Sequence, residues 1–106
     1  MADLSDIVMN PQAGRFELTR DGVTAFAEYR LRDGDMLLPH TVVPEALGGR
    51  GIAGLLAQAA LGYARQHGLK VKPTCSFMAA YIKRHPEWQD LVHPHYRVRL
   101  DLPEGG

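Results

Sequence analysis

Two Asp-Gly pairs, Asp21-Gly22 and Asp33-Gly34, restrict the fold of this chain more than any other feature. Each lies between segments rich in apolar or β-forming residues. A two-residue Asp-Gly connection favours a tight hairpin, because both central residues must adopt positive φ. Between the pairs, in VTAFAEYRLR, Val23, Ala25, Ala27, Tyr29 and Leu31 alternate with Thr24, Phe26, Glu28, Arg30 and Arg32, which is the period of a strand with one buried face. RFELT before it and MLLPHTVV after it complete an antiparallel three-stranded meander. Turns this short leave no room for a helix between these strands.

The period changes after Pro44. Ile52, Leu55, Leu56, Ala59 and Tyr63 make one apolar stripe at helical spacing, and Gly68 supplies a C-terminal cap. Gly62 inside this helix should cost about 1 kcal/mol relative to alanine unless close packing requires the missing side chain. LKVKPT reads as a short strand. Thr74 or Ser76 then caps a second helix with Phe77, Ala80 and Tyr81 on one side, Pro86 interrupts it, and PEWQDLV forms a further short helical turn. Strands joined by a helical crossover lie parallel, with a right-handed connection. The expected fold class is therefore α+β: a mixed sheet in which the meander is followed by a strand-helix-strand crossover and a C-terminal helix.

With 106 residues, 45% of them hydrophobic, the chain suffices for one compact domain over residues 1–106 but not for two. Twelve basic and twelve acidic residues cancel, which removes any strong global attraction to nucleic acid or an anionic membrane. The single cysteine, Cys75, excludes an intrachain disulfide and a two-pair cysteine zinc site, and makes a reducing compartment the default. MADLSDIVMN carries neither the apolar run nor the basic leader of a secretory or mitochondrial address, and no stretch approaches a membrane-spanning length. A cytoplasmic domain, monomeric or weakly dimeric, is expected, with DLPEGG as a frayed terminus.

GRGIAG, residues 49 to 54, matches the glycine fingerprint G-x-G-x-x-G, a weak signal alone in a chain with eleven glycines. Its position is more telling, because it lies where a strand feeds a helix. Exposed amides and the positive end of the helix dipole can hold an anion there. Between Ala46 and Pro86 stand six basic residues, Arg50, Arg65, Lys70, Lys72, Lys83 and Arg84, and no Asp or Glu. An NAD site wants an acid about 20 residues past the glycines to hold the ribose, and this chain has Lys70 and Lys72 there. No Gly-Lys-Ser/Thr follows, so the ATP-binding loop is excluded too.

The segment HTVVPEALGGRGIAGLLAQAALGYARQHGLKVKPTCSFMAAYIKRHPEW, extended upstream through RFELTRDGVTAFAEYRL, resembles the compact N-acetyltransferase-like branch of the GNAT superfamily over nearly the whole chain. The resemblance implies acetyl-CoA or coenzyme A as the ligand, its pyrophosphate on the amides of a loop written Q/R-x-x-G-x-G/A. Gly51 and Ala53 fill the last two marked places, while Gly48 stands where Gln or Arg is usual, a loss for which Arg50 compensates. Gly48, Gly49, Arg50, Gly51, Ile52, Ala53 and Gly54 are then the cofactor loop. The strand ending MLLPHTVV and the strand KVKPT splay apart, and main-chain groups of Val42 and Val43 hold the pantetheine, although a Val-Val pair is equally ordinary strand core. An amide near Val42 stabilises the oxyanion. Tyr81 matches the superfamily tyrosine near the thioester sulfur, where a phenol protonates the departing thiolate; the alternative is a core aromatic beside Phe77.

Two further residues attract chemistry. Cys75, between a strand and a helix start, reads either as a nucleophile that accepts the acetyl group or as a small buried residue. His40 shares a strand face with Leu38 and Val42, so it is a conceivable general base, against a structural hydrogen-bonded histidine. His93 and His95 have chelating spacing, but no third ligand is apparent and a metal is not expected. With no helices between the first strands the acceptor side is open, which suits a small amine or a protein tail. Two functions follow: an acetyl-CoA-dependent N-acetyltransferase acting by direct attack or through the cysteine, or a non-catalytic CoA or acyl-CoA binding module that docks on a partner.

Overall fold

The computed structural model describes residues 2–102, so the end of the DLPEGG segment, residues 103–106, lies outside the described residues. β2 (Arg15–Arg20) and β3 (Val23–Glu28) pair antiparallel from Arg20↔Val23 to Arg15↔Glu28. Asp21 and Gly22 join them at φ 53° and 75°. The second Asp-Gly turn, at φ 52° and 80°, joins β4 (Arg30–Arg32) to β5 (Asp35–Leu37). Both turns take the paired left-handed conformation that Asp-Gly tolerates.

The expected meander is bent across two sheets. One has the order β1-β2-β3-β6, with β1 (Val8–Asn10) outside β2 and β6 (Thr41–Val42) outside β3; the other has the order β4-β5-β7, with β7 (Lys70–Lys72) parallel to β5. The long strand VTAFAEYRLR breaks after Tyr29: its N–H bonds the Gly14 carbonyl at 2.9 Å, one step beyond the Arg15↔Glu28 pair, and from Arg30 the chain pairs with β5 instead. MLLPHTVV breaks around Pro39, which has no N–H to give a ladder. Past the first bend Leu31 lies on the end strand β4 and is exposed rather than buried, while Ala25, Ala27 and Tyr29 are buried as their alternation requires.

α1 (Ile52–Gln66) crosses from β6 to β7 and packs on β2 and β3. Its buried face is Ile52, Leu56, Ala57, Ala60, Leu61 and Ala64; Leu55, Ala59 and Tyr63 lie at the margin. The stripe is thus rotated toward the alanines, because small residues let the helix sit close on Ala25 and Ala27. The helix ends as expected: Gly68 at φ 65° lets its own amide return to Arg65 and that of Leu69 to the Ala64 carbonyl at 2.8 Å.

α2 (Ser76–Arg84) has Cys75 at its N-cap position with no side-chain capping bond, so neither Thr74 nor Ser76 caps it. Its buried residues are Met78, Tyr81 and Ile82, whereas Ala80 is exposed. A 3-10 segment (Pro86–Leu91) follows Pro86, and α3 (Pro94–Arg99), which the sequence reading did not anticipate, closes the described chain. Arg65 fastens this region to α1: its guanidinium donates to both Asp90 carboxylate oxygens at 2.8 and 3.0 Å and to the Glu87 carbonyl at 2.6 Å, and lies 5.2 Å from the Trp88 ring centre. The Asp90 carboxyl is held below its ordinary range chiefly by that hydrogen bond.

Candidate active site at the glycine loop and the free sheet edge

Between β6 and α1 the chain makes a 3-10 turn (Glu45–Leu47) and then the glycine loop. Gly49 and Gly51 have φ of 76° and 71°, a conformation that side chains strain, which explains why the loop carries glycine at both places. Gly51 is the residue before α1, so the amides of the first helical turn emerge beside it. Among the described residues the N–H groups of Gly49, Arg50, Gly51, Ile52, Ala53 and Gly54 have no hydrogen-bond acceptor. Gly48 differs: its N–H donates to the Glu45 carbonyl at 3.0 Å, closing the 3-10 turn, so its amide is withdrawn from the expected cradle. A cavity of about 380 Å³ opens beside the loop, lined by Ala2, Arg20, Gly49, Arg50 and Ile52.

The positive surround is narrower than the run of six basic residues implies. Arg65 is committed to Asp90, Lys70 donates to the Asp90 carbonyl at 3.2 Å, and Lys72 pairs with Asp35 at 3.1 Å. All three belong to the far end of α1 or to β7. Arg50 remains at the loop, joined by Arg20 from the end of β2, a residue that linear spacing could not associate with GRGIAG. Arg20 is paired with Asp6 at 2.8 Å, and the Asp6 carboxyl is lowered first by the Asp3 amide and then by Arg20.

β6 is the end strand of its sheet, and its two edges are unlike. Glu28 N–H donates to the His40 carbonyl at 2.8 Å, and bonded pairs recur every second residue in an antiparallel ladder, so Val42 directs its main-chain groups at Phe26. Thr41 and Val43 direct theirs the other way, toward the side where β7 pairs with β5. There the strands separate: the Leu38 N–H reaches Lys72 and the Cys75 N–H returns to the Leu38 carbonyl at 2.9 Å, but nothing pairs with Thr41 or Val43 on that edge among the described residues. This corrects the donor set, since the Val42 amide is turned to β3 and Thr41 takes its place beside Val43.

The Tyr81 ring is buried and sits against the first turn of α1: a methyl group placed on Gly54 would lie 3.8 Å from Tyr81 Cε2. It stacks on His85 with ring centres 4.0 Å apart, whereas Phe77 is 6.0 Å away. Cys75 is half-buried, and its thiol contacts Thr41 Oγ1 at 3.5 Å. His40 departs from expectation. It is exposed while Leu38 is fully buried, because Pro39 ends the alternation that would have put them on one face. The folded chain therefore brings Tyr81 to the glycine loop and Cys75 to Thr41, and leaves His40 facing solvent. His93 and His95 stack at 5.3 Å, His93 Nδ1 accepting the His95 N–H, and no group of three metal-binding side chains occurs among the described residues.

Residues 15–91 match the family described as GCN5-related N-acetyl-transferase. The solution structure of a GCN5-like protein from Staphylococcus aureus superimposes with a TM-score of 0.68 at 28% identity, over 88% of this chain and 91% of that one. Among curated proteins, Protein NATD1 of Homo sapiens is 47% identical over 63 residues, 59% of this chain and 50% of its own length. Protein NATD1 of Gallus gallus is 46% identical over 56 residues, 53% of this chain and 51% of its own length. The chain thus spans about half the length of the curated relatives it matches.

Proposed function

This chain belongs to the GCN5-related N-acetyltransferase family, and from that premise we propose that it transfers an acetyl group from acetyl-CoA to an amine by direct attack. One observation carries the cofactor: a run of main-chain donors from Gly49 to Gly54 without a protein acceptor, beside a cavity that exposes two arginines. Such an array suits a diphosphate, since amides and helix dipole act together on negative charge. The free edge of β6, with Thr41 and Val43 turned outward, suits an extended amide-bearing arm that bonds as an added strand. The residues therefore fit coenzyme A at both ends.

Bound there, acetyl-CoA supplies an activated acyl group as a thioester. The Thr41 and Val43 amides orient the arm, and an amide on this edge supports negative charge developing on a carbonyl oxygen. The Tyr81 hydroxyl delivers a proton to the departing sulfur. The Cys75 thiol lies against Thr41 on the same edge, so the covalent route is tested directly by removing it. His40, exposed on the open side, is free to take a proton from an incoming amine. The acceptor, a small amine or a protein tail, approaches from that side, and residues 1–106 act as one domain.

Labelled acetyl-CoA and a panel of amines test the reading. Transfer is expected with the wild type, and Tyr81→Phe should lower kcat by about 10² while retaining acetyl-CoA affinity. Cys75→Ala should turn over normally; loss of activity together with label on the wild-type protein would instead establish the cysteine route. Acetyl-CoA at about 100 times its Kd should stabilise the fold by about 2.7 kcal/mol, with NAD inert. The exposure of Val8 and Val42 on the sheet face away from α1 favours a second reading, a CoA-binding module without a walled acceptor site. Binding without transfer to any amine would select it.

A further inference from the structure

We infer that Arg20 reads the ribose phosphomonoester of the bound coenzyme, and that Asp6 competes with the phosphate for the same guanidinium. This inference rests on the reading of the glycine loop as the coenzyme diphosphate site. Arg20 comes from the last position of β2, remote in sequence from the loop, yet its side chain lines the same cavity as Gly49 and Arg50. The amides from Gly49 to Gly54 suffice for a diphosphate. A guanidinium from a different element lining the same cavity is suited to a second, separate phosphate, and coenzyme A carries one on its ribose. Arginine holds phosphate through paired N–H donors, a stronger contact than an exposed ion pair with a carboxylate.

Asp6 gives the site its particular character. Its carboxylate holds Arg20 at 2.8 Å and also accepts the Asp3 N–H at 2.8 Å, as part of the 3-10 turn Leu4–Asp6. Both partners are solvent-accessible, with side chains 37% and 30% exposed, so exchange of one anion for another needs no burial or unfolding. The adjoining Ala2 lines the cavity as well, which puts the N-terminal turn at its mouth.

Calorimetric titration with coenzyme A and with dephospho-coenzyme A, which lacks only the monoester, decides the matter. The wild type should prefer coenzyme A by about tenfold, in keeping with one charge-assisted phosphate contact. Arg20→Gln should abolish that preference, weakening coenzyme A about tenfold and leaving dephospho-coenzyme A unchanged, while Arg20→Lys should retain part of it. Asp6→Asn should act in the opposite direction and tighten coenzyme A about threefold, with no effect on dephospho-coenzyme A. A purely structural Arg20–Asp6 pair would make both variants bind both ligands alike. An unchanged preference in Arg20→Gln, equal weakening of both ligands, or weakening by Asp6→Asn would overturn the inference and leave the coenzyme site standing; a wild type that binds neither ligand would remove both.

Discussion

At its C-terminal end α1 is closed twice over, by the Gly68 and Leu69 amides returning to the helix and by Arg65 bound to Asp90, Glu87 and Trp88. At its N-terminal end the amides from Gly49 to Gly54 meet no acceptor among the described residues. The two ends also divide the charge. Arg65 and Lys70 are engaged with the segment around Asp90 and Lys72 with Asp35 of β5, while Arg50 and Arg20 remain beside the loop. A run of basic residues in sequence is therefore not a field around one site. One end of the helix is spent on stability, which allows the other to keep its donors open.

The sharpest way to break this contrast is Gly51→Val. A branched side chain at φ 71° should cost about 1–2 kcal/mol and disturb the donor array, so thermal melts should show a lower midpoint and titration a loss of acetyl-CoA affinity of tenfold or more. Arg65→Ala acts on the opposite end. It should destabilise by about 1 kcal/mol at neutral pH and leave coenzyme affinity unchanged, since its partners are largely exposed and the loss is mostly of packing and hydrogen bonds. Its deficit should depend on pH with a definite sign. The Asp90 carboxyl is held below its ordinary value of 3.8, so the pair contributes stability above that pH and loses it as pH falls through the lowered value. The gap between wild type and Arg65→Ala should accordingly narrow in acid without closing, since the contacts to the Glu87 carbonyl and the Trp88 ring do not titrate.

Gly62→Ala makes the smallest change and tests whether the middle of the helix belongs to either end. A methyl group there would meet nothing within 4 Å outside the helix, so packing does not require the glycine. The substitution should stabilise by up to about 1 kcal/mol in thermal melts, without altering acetyl-CoA binding.

Much of this was legible in the chain. The Asp-Gly turns, the parallel pairing of β5 with β7, the Gly68 cap and the place of GRGIAG before the helix all depend on neighbouring residues, and local chemistry reports them. The bends after Tyr29 and around Pro39 do not, because each depends on partners far away: past Tyr29 the chain leaves β2 to pair with β5, and after Pro39 it returns from one sheet to the other. His40 is exposed while Leu38 is buried for the same reason, since alternation does not carry across a break. Arg20 was invisible because only folding brings the end of β2 to the loop. The helix stripe drawn through large side chains is offset from the buried face, which includes the small residues Ala57, Ala60 and Ala64. For the site, residue types and loop position could be read, but not which amides were already taken, and that distinction removed Gly48 and Val42 as donors.

The brevity of β6 has an energetic corollary. A two-residue strand separated from Pro44 by Val43 alone offers only a short ladder to any added strand. The same shortness limits the bonds any arm can make there, so in the proposed complex most of the grip on the coenzyme would reside in its nucleotide. Pantetheine fragments lacking that nucleotide should be poor ligands, and adenosine bisphosphates good competitors.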